Sequence, residues 1–448
     1  MTSDSLGVFH PSGRFYRFTI LIFISLLVLG SYFAYDSIGA LENTLMTELH
    51  LDRSTIGSLY TAYSVAAIAI VFFGGMLYDK LGPRKASLLF SVLVFLGAVI
   101  VAVAKGKWML IFGRLVFGAG SESLIVVQSA IISRWFKGKE MAMAFGIALT
   151  LSRVGTLFSF NTEELIADHF HSFRTALWAA ALLCLFSVLC NLVFIAMDRH
   201  GEKVLSLPKA EAGDKIVFSD LKKFTSSYWF VVLLCVTFYS AIFPFTALST
   251  DMFHEKWGIP LVNASTGGFL TKVFFSFTHM FNTAPGITGI TIAASMIFAP
   301  FAGGLVDRIG RRASLMVVGS LLMIPAHLLM GITHWNPIPM MAMLGVAFVL
   351  VPAAMWPSVP LVVDEKRVGT AFGLMTAIQN LGLGLFPYLN GKLRDLTGTY
   401  TSTQVMFASL GLAGLVFAFL LLRADKRHGG VLEAGSGSGN GGTELQPE

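Results

Sequence analysis

Gly75-Met76-Leu77-Tyr78-Asp79-Lys80-Leu81-Gly82-Pro83-Arg84-Lys85 returns 228 residues later as Gly303-Gly304-Leu305-Val306-Asp307-Arg308-Ile309-Gly310-Arg311-Arg312. Each copy follows a long apolar run and precedes another, so each reads as a tight, basic connection between two hydrophobic helices. Ala144-Phe145-Gly146 also returns, as Ala371-Phe372-Gly373, at the nearly identical offset of 227 residues. Two unrelated motifs sharing one period mark a duplicated chain. Its two similar halves, in parallel repeat, are an architecture of membrane bundles that move solutes.

Composition sets the class. The chain is 55% apolar and only 13% charged, with a mean hydropathy of +0.72, far outside soluble averages. A spanning helix needs about 20 apolar residues. Phe18–Tyr35, Ser54–Tyr78, Ala86–Ala104, Thr175–Met197, Phe224–Thr250 and Leu396–Leu422 each lack Asp, Glu, Lys and Arg. Ala313–Val363 is also free of charge, and Asn336-Pro337-Ile338-Pro339 divides it into two helices. The spans predicted are 16–40, 55–78, 86–104, 108–133, 141–162, 174–197, 227–250, 286–306, 313–333, 338–362, 368–391 and 402–423. The fold class is therefore an all-α membrane protein, twelve transmembrane helices in two six-helix pseudo-symmetric bundles. Residues 1–197 form the first bundle, 198–226 a cytoplasmic linker, 227–428 the second bundle and 429–448 a disordered tail.

Basic residues orient the bundle. One side, with both termini, holds 22 of the 32 Lys and Arg; the other holds 8. The richer side is expected to be cytoplasmic. The net charge of +6 reads as this topology signal and not as nucleic-acid binding, because no basic stretch is interleaved with a stacking platform. Cys184, Cys190 and Cys235 lie inside apolar spans and offer no disulfide framework. No catalytic, metal-binding, phosphate-binding or dinucleotide motif is present, so neither an enzyme nor a cofactor or metal site is expected.

The repeated loops place an acid at a helix end with bases close behind. Asp79 with Arg84, and Asp307 with Arg308, Arg311 and Arg312, are candidates for gating contacts that hold helix ends together in one state and release them in another. The plainer reading is that they only anchor the loops. Two bases remain inside the membrane, Arg114 and Arg153, with Glu122 as the clear acidic counterpart and Asp36 toward the outer end of helix one. Embedded charge is costly and marks a pathway or a buried pair. At 1.5 Å per residue, Glu122 lies about 18 Å from the basic boundary at Arg134, and Arg153 about 21 Å from Lys139. The two therefore share a level near the midplane. The repeat mate of Arg153 is Asn380, beside Gln379. A central cavity would be charged on the first half's wall and polar-aromatic on the other, with Tyr239, Trp356, Gln379 and Asn380 as candidates. Residues alone leave two readings open: Arg153 and Glu122 receive the ends of a zwitterion, or a Glu122–Arg153 or Glu122–Arg114 bridge fixes helix packing.

The two basic loops resemble the major facilitator superfamily signature, and Arg114-Leu115-Val116-Phe117-Gly118-Ala119-Gly120 resembles its helix-four motif. Gly30-Ser31-Tyr32-Phe33-Ala34-Tyr35-Asp36, Gly120-Ser121-Glu122-Ser123-Leu124, Phe243-Pro244-Phe245 and Gln379-Asn380-Leu381-Gly382-Leu383 resemble the lysosomal dipeptide uniporter branch of that superfamily. The resemblance implies a secondary transporter of dipeptides, with Glu122 on the amino end and Arg153 on the carboxyl end. Tyr35, Asp36, Tyr239, Trp356, Gln379 and Asn380 complete the expected substrate site. Pro83 departs from the usual basic residue of the signature, and Gly267–Pro285 reads as an insertion before helix eight, an interfacial helix in preference to a lid. The tails carry no acidic-dileucine signal. The chain is thus expected in a prokaryotic inner membrane, the lysosomal membrane being the alternative, as a monomer in the lipid bilayer without an accessory subunit. Alternative functions are exchange or proton-coupled carriage of another small organic anion or amino acid, or a non-transporting receptor.

Overall fold

The computed structural model describes residues 10–136, 140–205, 218–264, 267–364, 367–427 and 429–434, with backbone alone at 71–79, 141–142, 218–220, 299–300, 303 and 307. The first half comprises α1 Arg14–Ala40, α2 Glu42–Leu49, α3 Arg53–Ala102, α4 Lys107–Phe136, α5 Met141–His169 and α6 Phe173–Val204. The second comprises α7 Ser226–Thr246, α8 Ser249–Trp257, α9 Phe269–Thr278, α10 Ala284–Thr288, α11 Ile290–Ile309 and α12 Arg312–Ile332, followed by α13 Pro337–Met355, α14 Val359–Val362, α15 Val368–Thr397 and α16 Thr401–Arg427.

Among the described residues ten helices are long and apolar enough to cross a membrane. The other two expected spans are the first segment of α3, and α10 with α11; both run through backbone-only residues. The repeated motif makes the same bend in each half. Gly82 divides α3 at φ 73°, and Gly310, 228 positions on, separates α11 from α12 at φ 69°. Glycine enters that region without a Cβ penalty. Pro83 then opens the second segment of α3, where its missing N–H costs nothing.

Several helix ends differ from the sequence expectation: the fifth span runs on to His169 and the eleventh to Thr397, and three more have a local cause. The sixth span continues past 197 to Val204, because Asp198 and Glu202, one turn apart, face Arg84 and Arg134. The seventh stops at Thr246 and not at 250; Pro244 removes a rung from its last turn. The tenth loosens after Met355 into a 3-10 turn, Trp356–Ser358, where Pro357 cannot donate.

Each half has its own apolar core. Outward faces remain apolar, as at Leu182, Leu189, Leu321 and Leu412. At the end opposite the termini, the far end, a third cluster joins the halves: Ile38, Leu45, Tyr60 and Leu110 meet Ala247 and Leu248. Helices α3 and α15 touch backbone to backbone there. A Cβ at Gly57 would collide with the Pro387 main chain, and one at Gly391 with that of Arg53.

Charges lock the same end. Arg53 of α3 donates to Asp251 of α8 through Nε at 2.6 Å and Nη2 at 3.2 Å, and to Glu255 at 2.5 Å. Arg394 of α15 also holds Glu255, and Tyr400 donates to Asp251. Asp395 of the second half accepts from the backbone N–H groups of Arg53 and Ser54 at 3.4 and 2.9 Å, capping α3 across the interface. Glu42, wholly buried, accepts from the Asp251 backbone N–H. The expected insertion forms α9, which belongs to the second half yet rests on α5. Ser276 donates to the Asn161 carbonyl at 2.7 Å and Phe277 packs on Phe158, while Leu270 and Phe274 face outward.

Asp251→Ala should strip Arg53 of its main partner and cost the closed far end about 3 kcal/mol, the lower end of the range for a broken buried pair, because Arg53 keeps 21% of its side-chain surface exposed. Spin labels placed at His50 and Lys392, both exposed, should move apart in the variant; an unchanged distance distribution would show that the apolar cluster alone closes this end. Burial, reinforced by the Asp251 carboxylate, pushes the Glu42 carboxyl well above its ordinary 4.5. Arg53, Glu164, Tyr400 and Tyr60 are the other titratable or charged groups around it. A raised carboxyl binds its proton in the closed form and loses it when wetted. Closure is therefore favoured as pH falls toward 4.5 and weakens as pH rises through the raised value. The same labels should separate further at pH 8 than at pH 5.5, and Glu42→Gln should flatten that response.

Candidate functional site

Between the halves lies a cavity of about 220 Å³. Its wall from the first half carries Ser31, Tyr32, Tyr35 and Asp36 of α1, Tyr63 of α3, Ser121, Glu122 and Ile125 of α4, and Arg153 of α5. The opposite wall carries Tyr239 and Phe243 of α7 with Thr376, Gln379, Asn380 and Leu383 of α15, and no charge. Of the candidates read from the sequence, Glu122, Arg153, Tyr35, Asp36, Tyr239, Gln379 and Asn380 line this space. Trp356 does not. It stands behind Tyr239 and donates its Nε1–H to that hydroxyl at 2.8 Å.

The lining residues that sequence reasoning missed follow helical spacing from those it found. Ser31 and Tyr32 precede Tyr35 and Asp36 by one turn, Ile125 follows Glu122 by three, Phe243 follows Tyr239 by four, and Thr376 precedes Asn380 by four. Side chains so spaced share a face. Tyr63 carries no such signal, since its helix contributes no other lining residue.

Among the described residues Glu122 and Arg153 form no ion pair with each other or with a third group, so neither bridge considered from the sequence exists here. Glu122 Oε1 accepts from the Tyr63 hydroxyl at 2.7 Å. The Arg153 guanidinium sits among the rings of Phe348, Tyr32 and Phe243 at 5.2, 5.8 and 5.9 Å, whose faces attract a cation. Asn380 donates to the Thr376 carbonyl at 3.1 Å, while its buried Oδ1 has no partner among the described residues. The cavity therefore presents two carboxylates, Glu122 and Asp36, and the Arg153 guanidinium on one wall, with no salt bridge between them among the described residues, and a neutral polar-aromatic wall opposite.

Arg114 is outside the cavity. It is buried behind Tyr35 and Tyr63, with Nη1 on the Ala34 carbonyl at 3.3 Å and four rings within 5.4 Å. The loop residues also lie elsewhere. Arg84 donates to Asp198 at 2.6 Å and to Glu202, both of its own half. Arg308 is exposed, and the backbones of Arg311 and Arg312 donate to the carbonyls of Glu433 and Leu432 at 3.3 and 2.8 Å. The side chains of Asp79 and Asp307 fall outside the described residues. No three His, Cys, Asp or Glu groups converge to hold a metal among the described residues.

The profile of the Major Facilitator Superfamily matches residues 22–287 and 274–440. The chain belongs to the Major Facilitator Superfamily. It is 33% identical over 435 residues to the lysosomal dipeptide transporter MFSD1 of Danio rerio, covering 94% of this chain and 90% of that one. It is 31% identical over 431 residues to the protein of the same name from Homo sapiens, covering 93% and 88%. A hexuronate transporter of Bacillus subtilis is 21% identical, covering 88% and 92%. The solved nucleoside transporter NupG shares the fold, with a TM-score of 0.68 at 15% identity over 91% of this chain and 99% of that one. The chain is accordingly a multi-pass membrane protein, and the relatives it matches are named as transporters, not enzymes.

Several glycines let α3 and α4 approach, and Gly118 is the one that faces Tyr63 behind the cavity. A Cβ at Gly118 would lie 2.6 Å from the Tyr63 carbonyl oxygen. Gly118→Ala should force the helices apart and cost about 1–3 kcal/mol as an overpacked contact. Thermal unfolding in detergent checks it, and a melting temperature equal to the parent's would show that the interface gives way freely.

Proposed function

We propose that this protein is a secondary transporter that carries zwitterionic dipeptides by alternating access. The observation that carries the reading is the pair of opposite charges, Glu122 and Arg153, on one wall of a cavity between two halves that are locked together at one end. Arg153 takes the peptide carboxylate through its planar fork of donors, and Glu122 takes the ammonium group. Asp36, Tyr35, Tyr239, Gln379 and Asn380 shape the remainder, and Trp356 acts through Tyr239. Full-length relatives named as dipeptide transporters support this assignment.

The sealed far end and the separate cores suit two rigid bodies that rock about the cavity. Asp79, Arg84, Asp307, Arg308, Arg311 and Arg312 set the ends nearest the termini in that motion. Both termini face the cytoplasm in this reading, which the excess of basic residues at that end supports, and the protein works as a monomer. Carriage of a simple organic anion is a poorer fit, because Glu122 and Asp36 share the cavity with its lone cation, Arg153.

Proteoliposomes should show counterflow of a labelled dipeptide. Arg153→Ala should reduce the penalty for amidating the peptide's carboxyl end, and Glu122→Gln the penalty for acetylating its amino end. Each change should weaken binding of the free peptide about 100-fold, the scale of a buried charge-assisted contact broken on one side. Folded variants that discriminate the modified peptides as the parent does would assign the pair a structural role and remove this site.

A further inference from the structure

Glu122 is a flexible side chain that must hold one position to recognise a small cation. Among the described residues one group holds it. The Tyr63 hydroxyl donates to Oε1 at 2.7 Å, while Oε2 has no hydrogen bond among the described residues and is left for a ligand. Tyr63 is itself immobilised from every side. Its main chain abuts Gly118, its ring packs at 4.7 Å on Tyr35 and 6.0 Å on Phe117, and its hydroxyl lies 3.2 Å from Ser121 Oγ.

A further constraint on that ring comes from Arg114. This cation is 1% exposed, and its Nε and Nη2 have no hydrogen-bond partner among the described residues. No carboxylate pairs with it there. In direct contact with it are one carbonyl and four aromatic faces, of which Tyr63 at 5.4 Å and Tyr35 at 5.0 Å reach into the cavity, and the buried Asp36 carboxylate acts on it from farther off. A ring that turned away would strip a buried guanidinium of part of its stabilisation.

We infer that Tyr63 is the positioning residue of the amino-end subsite, holding the Glu122 carboxylate in one orientation, and that Arg114 is the clamp that fixes Tyr63. The inference rests on the dipeptide reading of the cavity. It assigns the embedded arginine of α4 to recognition at second hand: the arginine touches no ligand, and its loss is felt at one end of the substrate only. A merely structural tyrosine would loosen both ends alike.

The test compares affinities of the purified protein for dialanine, N-acetyl-dialanine and dialanine amide. Tyr63→Phe keeps the ring and its stacking and removes the hydroxyl. It should weaken dialanine about tenfold, the upper range for one hydrogen bond. The preference for dialanine over its acetylated form should fall by the same factor, while the preference over the amide stays at the parent's value. Arg114→Lys keeps the charge and loses the flat guanidinium; it should lower the acetyl preference alone, by a smaller factor. A parent that prefers dialanine over both capped forms, with Tyr63→Phe unchanged or with both preferences falling together, overturns the positioning role and leaves the site intact. A parent indifferent to both caps removes the dipeptide reading and this inference with it.

Discussion

A charge inside an apolar bundle must be compensated by the protein, since no water surrounds it. Arg114, Arg153 and Glu122, three of the embedded charges of the first half, illustrate three solutions. Arg114 is enclosed by rings and a carbonyl, away from the cavity. Arg153 has rings on one side and the cavity on the other. Glu122 has one oxygen on Tyr63 and one open. The aromatic richness of the central region follows from that constraint. Tyr32, Tyr35, Tyr63 and Phe243 are there because they can sit beside charge without neutralising it.

The halves meet in two different ways. Around the cavity they present complementary walls with space between. At the far end they touch through main chain, apolar side chains and a shared ionic lattice. The capping of α3 by Asp395 makes a helix of one half depend on a side chain of the other. Such contacts are all-or-none, because a partly separated pair loses its geometry before it gains hydration. That favours two discrete arrangements over a continuum.

The fold was legible because duplication and apolar run length are written locally. Gly82 and Gly310 have the same period as the motifs around them and make the same bend. Most of the cavity was legible too, since embedded charge is rare enough to stand out and the repeat points from Arg153 to Asn380. What sequence could not provide was pairing across long separations. Arg53, Asp251 and Arg394 look like ordinary loop charges, yet they form the far-end lattice. Asp198 looked like the start of a linker and is a buried partner of Arg84, Arg134 and Trp135. Trp356 was placed by its composition and stands a layer back, because the 3-10 turn after Met355 points it at Tyr239. Tyr63 was missed for the opposite reason: one aromatic on an apolar helix carries no pattern.

The far-end lattice also has a consequence for the medium on its side of the membrane. When closed, Asp251 is buried and the paired groups around it are only partly exposed, so dissolved salt changes their energy less than it does once they separate. When opened, the same groups face solution and gather counterions within a Debye length, about 8 Å at physiological ionic strength. Salt therefore stabilises the open arrangement more than the closed one. The balance between the two arrangements becomes a function of the ionic strength on that one side, while the charges of the central cavity, set deep between the helices, remain insensitive to it.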